Sequence, residues 1–239
     1  MPFLLALALT ASSPPQPLDQ AERIQPVGWS ADQKRVALRV FFGAEASEAE
    51  DCAGYVDGEG KKFRTGLALV VLNEGAVEHT FVIQRPPMDS CTSVVDAKAE
   101  LGAAKAKLDE LGIDRAAPGR SLAVKRERAK KGSTELFRAT DGNRTVLEFS
   151  LSVSESDDGV DGRRVTTKGS WKRLPPAGVP TSGTLTLPPT SYSLIMAGSF
   201  RYDFTVLASP AGDRLLVFSH ERHSNMRGSW NVSRLLDLK

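Results

Sequence analysis

With 239 residues, 41% hydrophobic and 25% charged, the chain lies within the ordinary globular range and is long enough to bury a substantial core. Its formal net charge is only +2, so it has no global field of the kind that draws a protein onto nucleic acid or an anionic membrane. That balance argues against nucleic acid as a partner.

The opening "MPFLLALALTASSPPQP" holds an apolar run, then small residues, then a Pro-rich stretch, the order of a secretory signal peptide followed by a mature N-terminal linker. We therefore expect a signal at 1–12, a linker at 13–25 and one mainly β domain over 26–239. The competing reading of the first run is a short buried strand. After signal removal no segment approaches the roughly 20 apolar residues that a membrane helix needs, so no transmembrane segment is expected.

From Gly28 the stretch "GWSADQKRVALRVFFG" reads as a turn feeding a strand, with Val36, Leu38 and Val40 alternating with Ala37 and Arg39. An acidic loop with Cys52 follows. Leu67 to Leu72 is apolar on both alternating faces, as a strand covered on two sides should be. Asn73-Glu74-Gly75 is a turn, and Val77, His79, Phe81 and Ile83 form the returning strand. The chain then reaches Cys91. In an oxidising compartment Cys52 and Cys91, the only cysteines, would form a disulfide closing a loop of about 40 residues, worth on the order of 4 kcal/mol in the chain-entropy view. In a reducing compartment they are two free thiols.

A helical insertion is expected at about 93–112, where Val94, Ala97, Leu101, Ala104, Leu108 and Leu111 recur at helical spacing and Gly112 supplies a stop. The basic run "GRSLAVKRERAKKGS" lacks interleaved aromatics for base stacking and reads as a solvated strand end or loop. A hairpin is centred on Asp141-Gly142-Asn143. After "RVTTKGSWKRL", the stretch "LPPAGVPTSG" is a surface connection leading to the short strand candidates "TLTL" and "YSLIMAG", and then to "YDFTVLA".

Near the end the opening motif returns. In "LASPAGDRLLVFSHER", Ser209 precedes Arg214 by five residues, as Ser30 precedes Arg35, and an apolar strand follows in both. Pro210 and Gly212 would solve here the backbone problem that Asp32 solves in the first copy. Equivalence predicts that Arg35 and Arg214 hold matching positions just before two antiparallel strands. The order of S-x-D-G-x-R pieces, strand, loop and strand resembles the blades of TolB-type β-propellers over about residues 28–84 and 205–238. The "GWSADQKRVAL" opening followed by the helix "AKAELGAAKAKLDELGID" resembles bacterial predicted secreted proteins of unknown function. The resemblance implies antiparallel blade-like sheets, as an incomplete propeller-like or sandwich arrangement, with one inserted α-helix. A closed ring needs four or more such units, and only two are visible.

Chemistry-bearing groups are sparse. His220-Glu221-Arg222-His223 is the densest set, and His220, Glu221 and His223 could begin a metal site only if the strand ended at Ser219, because on a continuing strand the two histidines point to opposite faces. The acidic loop lacks the ligand spacing of a calcium loop, so no metal and no cofactor is expected. The familiar nucleophile, zinc and phosphate-loop motifs are absent, which weighs against an enzyme. Trp29, Trp171 and Trp230 read as core or rim residues. The sequence thus points to an exported envelope protein, periplasmic or secreted, that binds or scaffolds a protein or envelope polymer through loops such as 44–60 and 220–229. The alternative is a hydrolase using His220, Glu221 or Asp203 at a loop cluster. Fold likeness cannot choose between them.

Overall fold

The computed structural model describes residues 17–43, 65–84, 97–128, 134–157, 162–176, 178–193, 199–225, 228–236 and 238. The protein is mainly β, and the described residues form two sheets with antiparallel pairing throughout and one helix. The first sheet contains β1 (Ala21–Ser30), β2 (Arg35–Gly43), β3 (Thr65–Asn73), β4 (Ala76–Gln84) and the short β5 (Ile113–Asp114), in the order β4-β3-β2-β1-β5. The stretch expected to be linker, 13–25, is already strand from Ala21. Its apolar side chains account for this correction: Ala21 and Ile24 are buried in the core between the sheets, together with Leu18.

The helix expected at about 93–112 is described over Ala97–Glu110 (α1), and Gly112 beyond it takes a φ of +63°. Glu100 in its first turn and Lys107 in its last complement the helix dipole. Ala104 and Leu108 pack on Ala37, Val71 and Ile113, on the far side of the first sheet. The alternate residues Ala68, Val70 and Leu72 face the second sheet. β3 is therefore covered on both faces, as its continuous apolar run requires.

The second sheet has eight strands: β6 (Arg120–Arg128), β7 (Thr134–Asp141), β8 (Arg144–Asp157), β9 (Gly162–Arg173), β10 (Thr181–Ser193), β11 (Ser199–Ala208), β12 (Leu215–Asn225) and β13 (Gly228–Leu236). Their order is β10-β9-β8-β7-β6-β11-β12-β13. The sheet curls into a half-barrel. Tyr202 on β11 accepts a hydrogen bond of 2.8 Å from Thr167 on β9, although three strands lie between them in the sheet. Phe204 stacks on Phe149 at 4.5 Å between centroids and meets Phe137 edge-on at 4.9 Å, filling the hollow of the curl. The basic run is largely strand β6, with Arg126 paired to Glu135 and Glu127 to Arg138 across β7. "TLTL" does not end at the prolines: β10 continues through Pro188 and Pro189 with a register shift after Leu187. An edge strand tolerates this because a missing N–H there can face solvent.

The repeated segments are matching hairpins in separate sheets. Trp29 pairs with Val36 across the first turn, and Ala208 with Leu215 across the second. Side-chain direction fixes how the sheets are stacked. In the first copy Trp29, Val36, Leu38 and Val40 point into the core between the sheets. Their counterparts Ala208, Leu215 and Val217 point away from that core, into the half-barrel, and Leu207, Leu216 and Phe218 fill the inter-sheet layer instead. Equivalent faces therefore look the same way, whereas two copies related by a face-to-face two-fold would meet on equivalent residues.

Candidate functional site

The two turns meet side by side. In the first, the Ser30 hydroxyl accepts from the Arg35 amide at 2.9 Å and donates to Asp32 at 2.6 Å. In the second, the Ser209 hydroxyl accepts from the Arg214 amide at 3.2 Å and donates to Asp213 at 2.8 Å. Three residues after each serine the backbone enters the left-handed region, at Gln33 with φ +57° and at Gly212 with φ +77°. The serine hydrogen bond comes first among the causes that hold Asp32 below the usual carboxylate range, and the same is true of Asp213. Across the gap Gln33 Nε2 donates to Asp213 Oδ2 at 3.3 Å, and Arg214 Nη1 donates to the Gln33 carbonyl at 3.0 Å. Arg173 adds a hydrogen bond to the Asp213 carbonyl.

Beside these turns lies a cleft of about 700 Å³. Its apolar wall includes Leu147, Leu215, Leu235 and Leu236 and the edges of Trp29 and Trp171. Both indoles are nearly buried, at 3% and 5% exposure, so they serve as core residues that edge the cleft and leave no open ring face. Trp29 is anchored by its Nε1–H on the Pro118 carbonyl at 3.1 Å. Trp171 depends on Gly183 opposite it, where a Cβ would stand only 2.8 Å from the indole nitrogen. The charged rim carries Lys34, Arg173 and Arg214 against Glu74 and Asp213, three cations to two carboxylates.

The groups singled out from sequence lie elsewhere. His220 is 2% exposed, and both its nitrogens are engaged, with Thr205 at 2.8 Å and Ser233 at 2.7 Å. Ser233 in turn donates to the Ala21 carbonyl, tying β13 to the start of β1. Burial, helped by the Arg222 cation, pushes His220 down to about 4, so its ring is neutral at pH 7 and closed to a substrate. Its neighbour Glu221 points to the opposite face, into the half-barrel, where it is fully buried and paired with Arg234. Near it, burial pushes the Tyr202 hydroxyl up to about 12. Asp203 is held by Arg201 and Arg222, each at 2.9 Å. Asp203 is the cross-strand partner of His220 and Glu221 lies on the opposite face, and none of the three lines the cleft.

β12 runs on to Asn225, so the strand end at Ser219 that would let His220 and His223 converge does not occur. The expected loop at 220–229 is instead largely the β12–β13 hairpin. Its continuous cross-strand ladder explains the correction. Among the described residues no cluster of three or more His, Cys, Asp or Glu side chains could hold a metal ion. No helix among them is long and apolar enough to cross a membrane. Cys52, Cys91 and loop 44–60 lie outside the described residues.

Sequence reasoning identified both turns but missed the cleft beside them. The one available signal was that Asp213 adjoins Arg214 as part of a Ser-to-Arg repeat, which could have suggested a second carboxylate-capped turn. Arg173 and the leucines carry no local mark. The chain matches no family model, no curated protein and no solved structure.

Proposed function

We propose that the chain is an exported binding or scaffold protein, periplasmic or secreted, and that its contact surface is the cleft at the paired turns. The cleft itself carries this reading: it is an open concavity of ligand size, with an apolar wall and a few convergent polar groups. Export rests on the apolar run and small residues of 1–12. The resemblance to propeller blades is compatible with binding at such a junction of sheets. The hydrolase alternative draws no support from His220, whose nitrogens are both spent on structural hydrogen bonds.

The test is a thermal-shift screen of small peptides, amphiphiles and oligosaccharides, run beside chromogenic esters, phosphates and glycosides. We expect ligands that raise the melting midpoint without turnover. Their effect should disappear in Thr181→Trp, a substitution at an exposed position of the cleft wall. Turnover abolished by His220→Gln at unchanged melting temperature would replace the proposal with the hydrolase reading. Retention of the full-length N-terminus in the cytoplasmic fraction of the native host would remove export.

A further inference from the structure

The cleft's unspent hydrogen-bonding capacity identifies a ligand class. Both rim carboxylates are engaged: Asp213 accepts from Ser209 and Gln33, and Glu74 pairs with Lys34 at 3.3 Å. The two guanidiniums are not similarly neutralised. Arg173 and Arg214 each donate to a backbone carbonyl of the paired turns, and neither forms an ion pair among the described residues. These two carbonyls belong to Asp213 and Gln33, which are themselves bonded to one another, so the guanidiniums are anchored at one corner of the cleft. Each keeps further N–H groups in the fork geometry that matches a carboxylate.

A second unsatisfied group stands beside them. The bond from Gln33 Nε2 to Asp213 fixes the orientation of that amide, and its Oε1 is covered yet has no hydrogen-bond donor. A buried acceptor left without a donor is costly. A single 3.3 Å bond holds the amide, so a small swing would present Oε1 to the cleft. The third element is the leucine wall. A ligand that answers all three carries a carboxylate, an N–H donor close behind it, and apolar groups beside both.

We infer that the cleft binds the free C-terminus of a peptide or protein whose last residues are apolar. In this arrangement the terminal carboxylate lies against Arg173 and Arg214, a backbone N–H of the ligand donates to Gln33 Oε1, and the apolar side chains cover Leu215 and Leu236. An acyl chain with a carboxylate head would satisfy the arginines and the wall but would leave Gln33 without its donor. This inference rests on the cleft being the contact surface and adds the chemistry of the partner.

The experiment uses the mature chain with three acetylated tetrapeptides: an acid ending in two leucines, its C-terminal amide, and an acid ending in two serines. Affinity is measured by calorimetry, and the indole N–H resonances of Trp29 and Trp171 report occupancy of the cleft. The leucine acid should bind at least about tenfold more tightly than its amide or the serine acid. Raising the ionic strength from about 0.05 to 0.3 M should erode the acid's advantage, because the contacts are at a solvent-exposed rim. In Arg173→Gln/Arg214→Gln, acid and amide should become equal, whereas Arg173→Lys/Arg214→Lys should keep part of the preference. If the double glutamine variant fails to fold, the acid-to-amide ratio and its salt dependence in the unmodified chain still decide the matter. Equal binding of acid and amide with indole shifts would overturn the carboxylate assignment while leaving the cleft as a binding site. Decanoate binding in the cleft more tightly than any of the peptides would overturn the peptide in favour of an acyl chain. Absence of binding by all of these probes would overturn the inference, and the cleft reading would then stand or fall by the thermal-shift screen.

Discussion

The turn between β1 and β2 and the turn between β11 and β12 perform the same operation with different residues. Each serine hydroxyl caps the amide of the arginine five residues on, and each chain reverses through one left-handed residue. They differ in what they do with that residue. The C-terminal copy uses Gly212, which adopts φ +77° without a side-chain penalty. The N-terminal copy places Gln33 there, at a conformational cost of about 1 kcal/mol, and its side chain reaches the other turn. One copy is thus built for the reversal, and the other also for the junction. Both copies share the local turn chemistry, while the contact between them is divided: the first turn supplies the amide and carbonyl of Gln33, and the second the Asp213 carboxylate and the Arg214 guanidinium.

The largest contrast lies further along the equivalent strands, eleven residues after each serine. The first copy has Phe41, under the guanidinium of Arg23 at 4.0 Å, and the second has His220 in the layer between the sheets. Around His220 stand Thr205, Ser233, the Ala21 carbonyl, Asp203 and Arg222. Its value falls from 6.5 to about 4, mainly through burial. The unfolded chain therefore binds a proton between those limits that the folded chain refuses. The stability is fully present above about pH 6.5 and is lost as pH falls towards 4, by up to about 3 kcal/mol. Chemical denaturation at pH 7 and pH 4.5 should show this loss in the unmodified chain and a much smaller one in His220→Gln. An equal pH dependence in the two proteins would mean that the second strand differs from the first in shape alone.

The serines come next. Ser209 is fully buried, whereas Ser30 is 7% exposed, and the Asp213 that Ser209 holds also receives Gln33. Ser209→Ala should cost about 2 kcal/mol and Ser30→Ala about 1 kcal/mol, since water can reach the freed groups only in the first copy. Urea melts of the two variants would decide. A larger loss at Ser30 would mean that the N-terminal turn, not the C-terminal one, anchors the junction.

These contrasts show which features could be read from the sequence. The serine-to-arginine spacing was legible because every atom of each turn lies within six residues, and Asp32, Pro210 and Gly212 announce their backbone roles locally. Helix α1 was legible in the spacing of Ala104 and Leu108, and the two covered faces of β3 in its unbroken apolar run. The half-barrel was not, because it depends on β6 joining β11 across some 80 residues, through pairs such as Val206 with Leu122. The burial of His220 was equally hidden, since "SHERHS" has the composition of a loop and the node that closes over it comes from Ala21 at the other end of the chain. The cleft combines both difficulties: Arg173 is an ordinary surface residue until the curl of the second sheet brings it to the Asp213 carbonyl, and Arg214 until the stacking of the sheets brings the Gln33 carbonyl within its reach.

Exchanging the left-handed residues gives the next smaller effect. Gly212→Ala forces a Cβ into φ +77° and should cost about 1 to 2 kcal/mol. Gln33→Gly removes strain of about the same kind, but it also frees the unfolded backbone and deletes the bond to Asp213, so its net change should lie within about 0.5 kcal/mol of zero. Equilibrium melts of both variants measure the asymmetry. Equal losses would mean that Gln33 is fully compensated in place and that the two positions are used alike.

The smallest expected effect bears most directly on the junction. A double-mutant cycle of Gln33→Ala and Asp213→Ala cancels the separate costs of the left-handed alanine and of the lost Ser209 contact, leaving only the interaction between the two side chains. That bond is 3.3 Å long and exposed, so solvent should hold its coupling to about 0.5 kcal/mol. A value near zero would assign the junction to Arg214 Nη1 on the Gln33 carbonyl, a bond that either alanine leaves in place. A coupling above about 1 kcal/mol would mean that the amide is held firmly, and would count against the swing that brings Gln33 Oε1 to a ligand. The same cycle therefore measures both how the repeats are joined and how free the cleft's orphan acceptor is to turn.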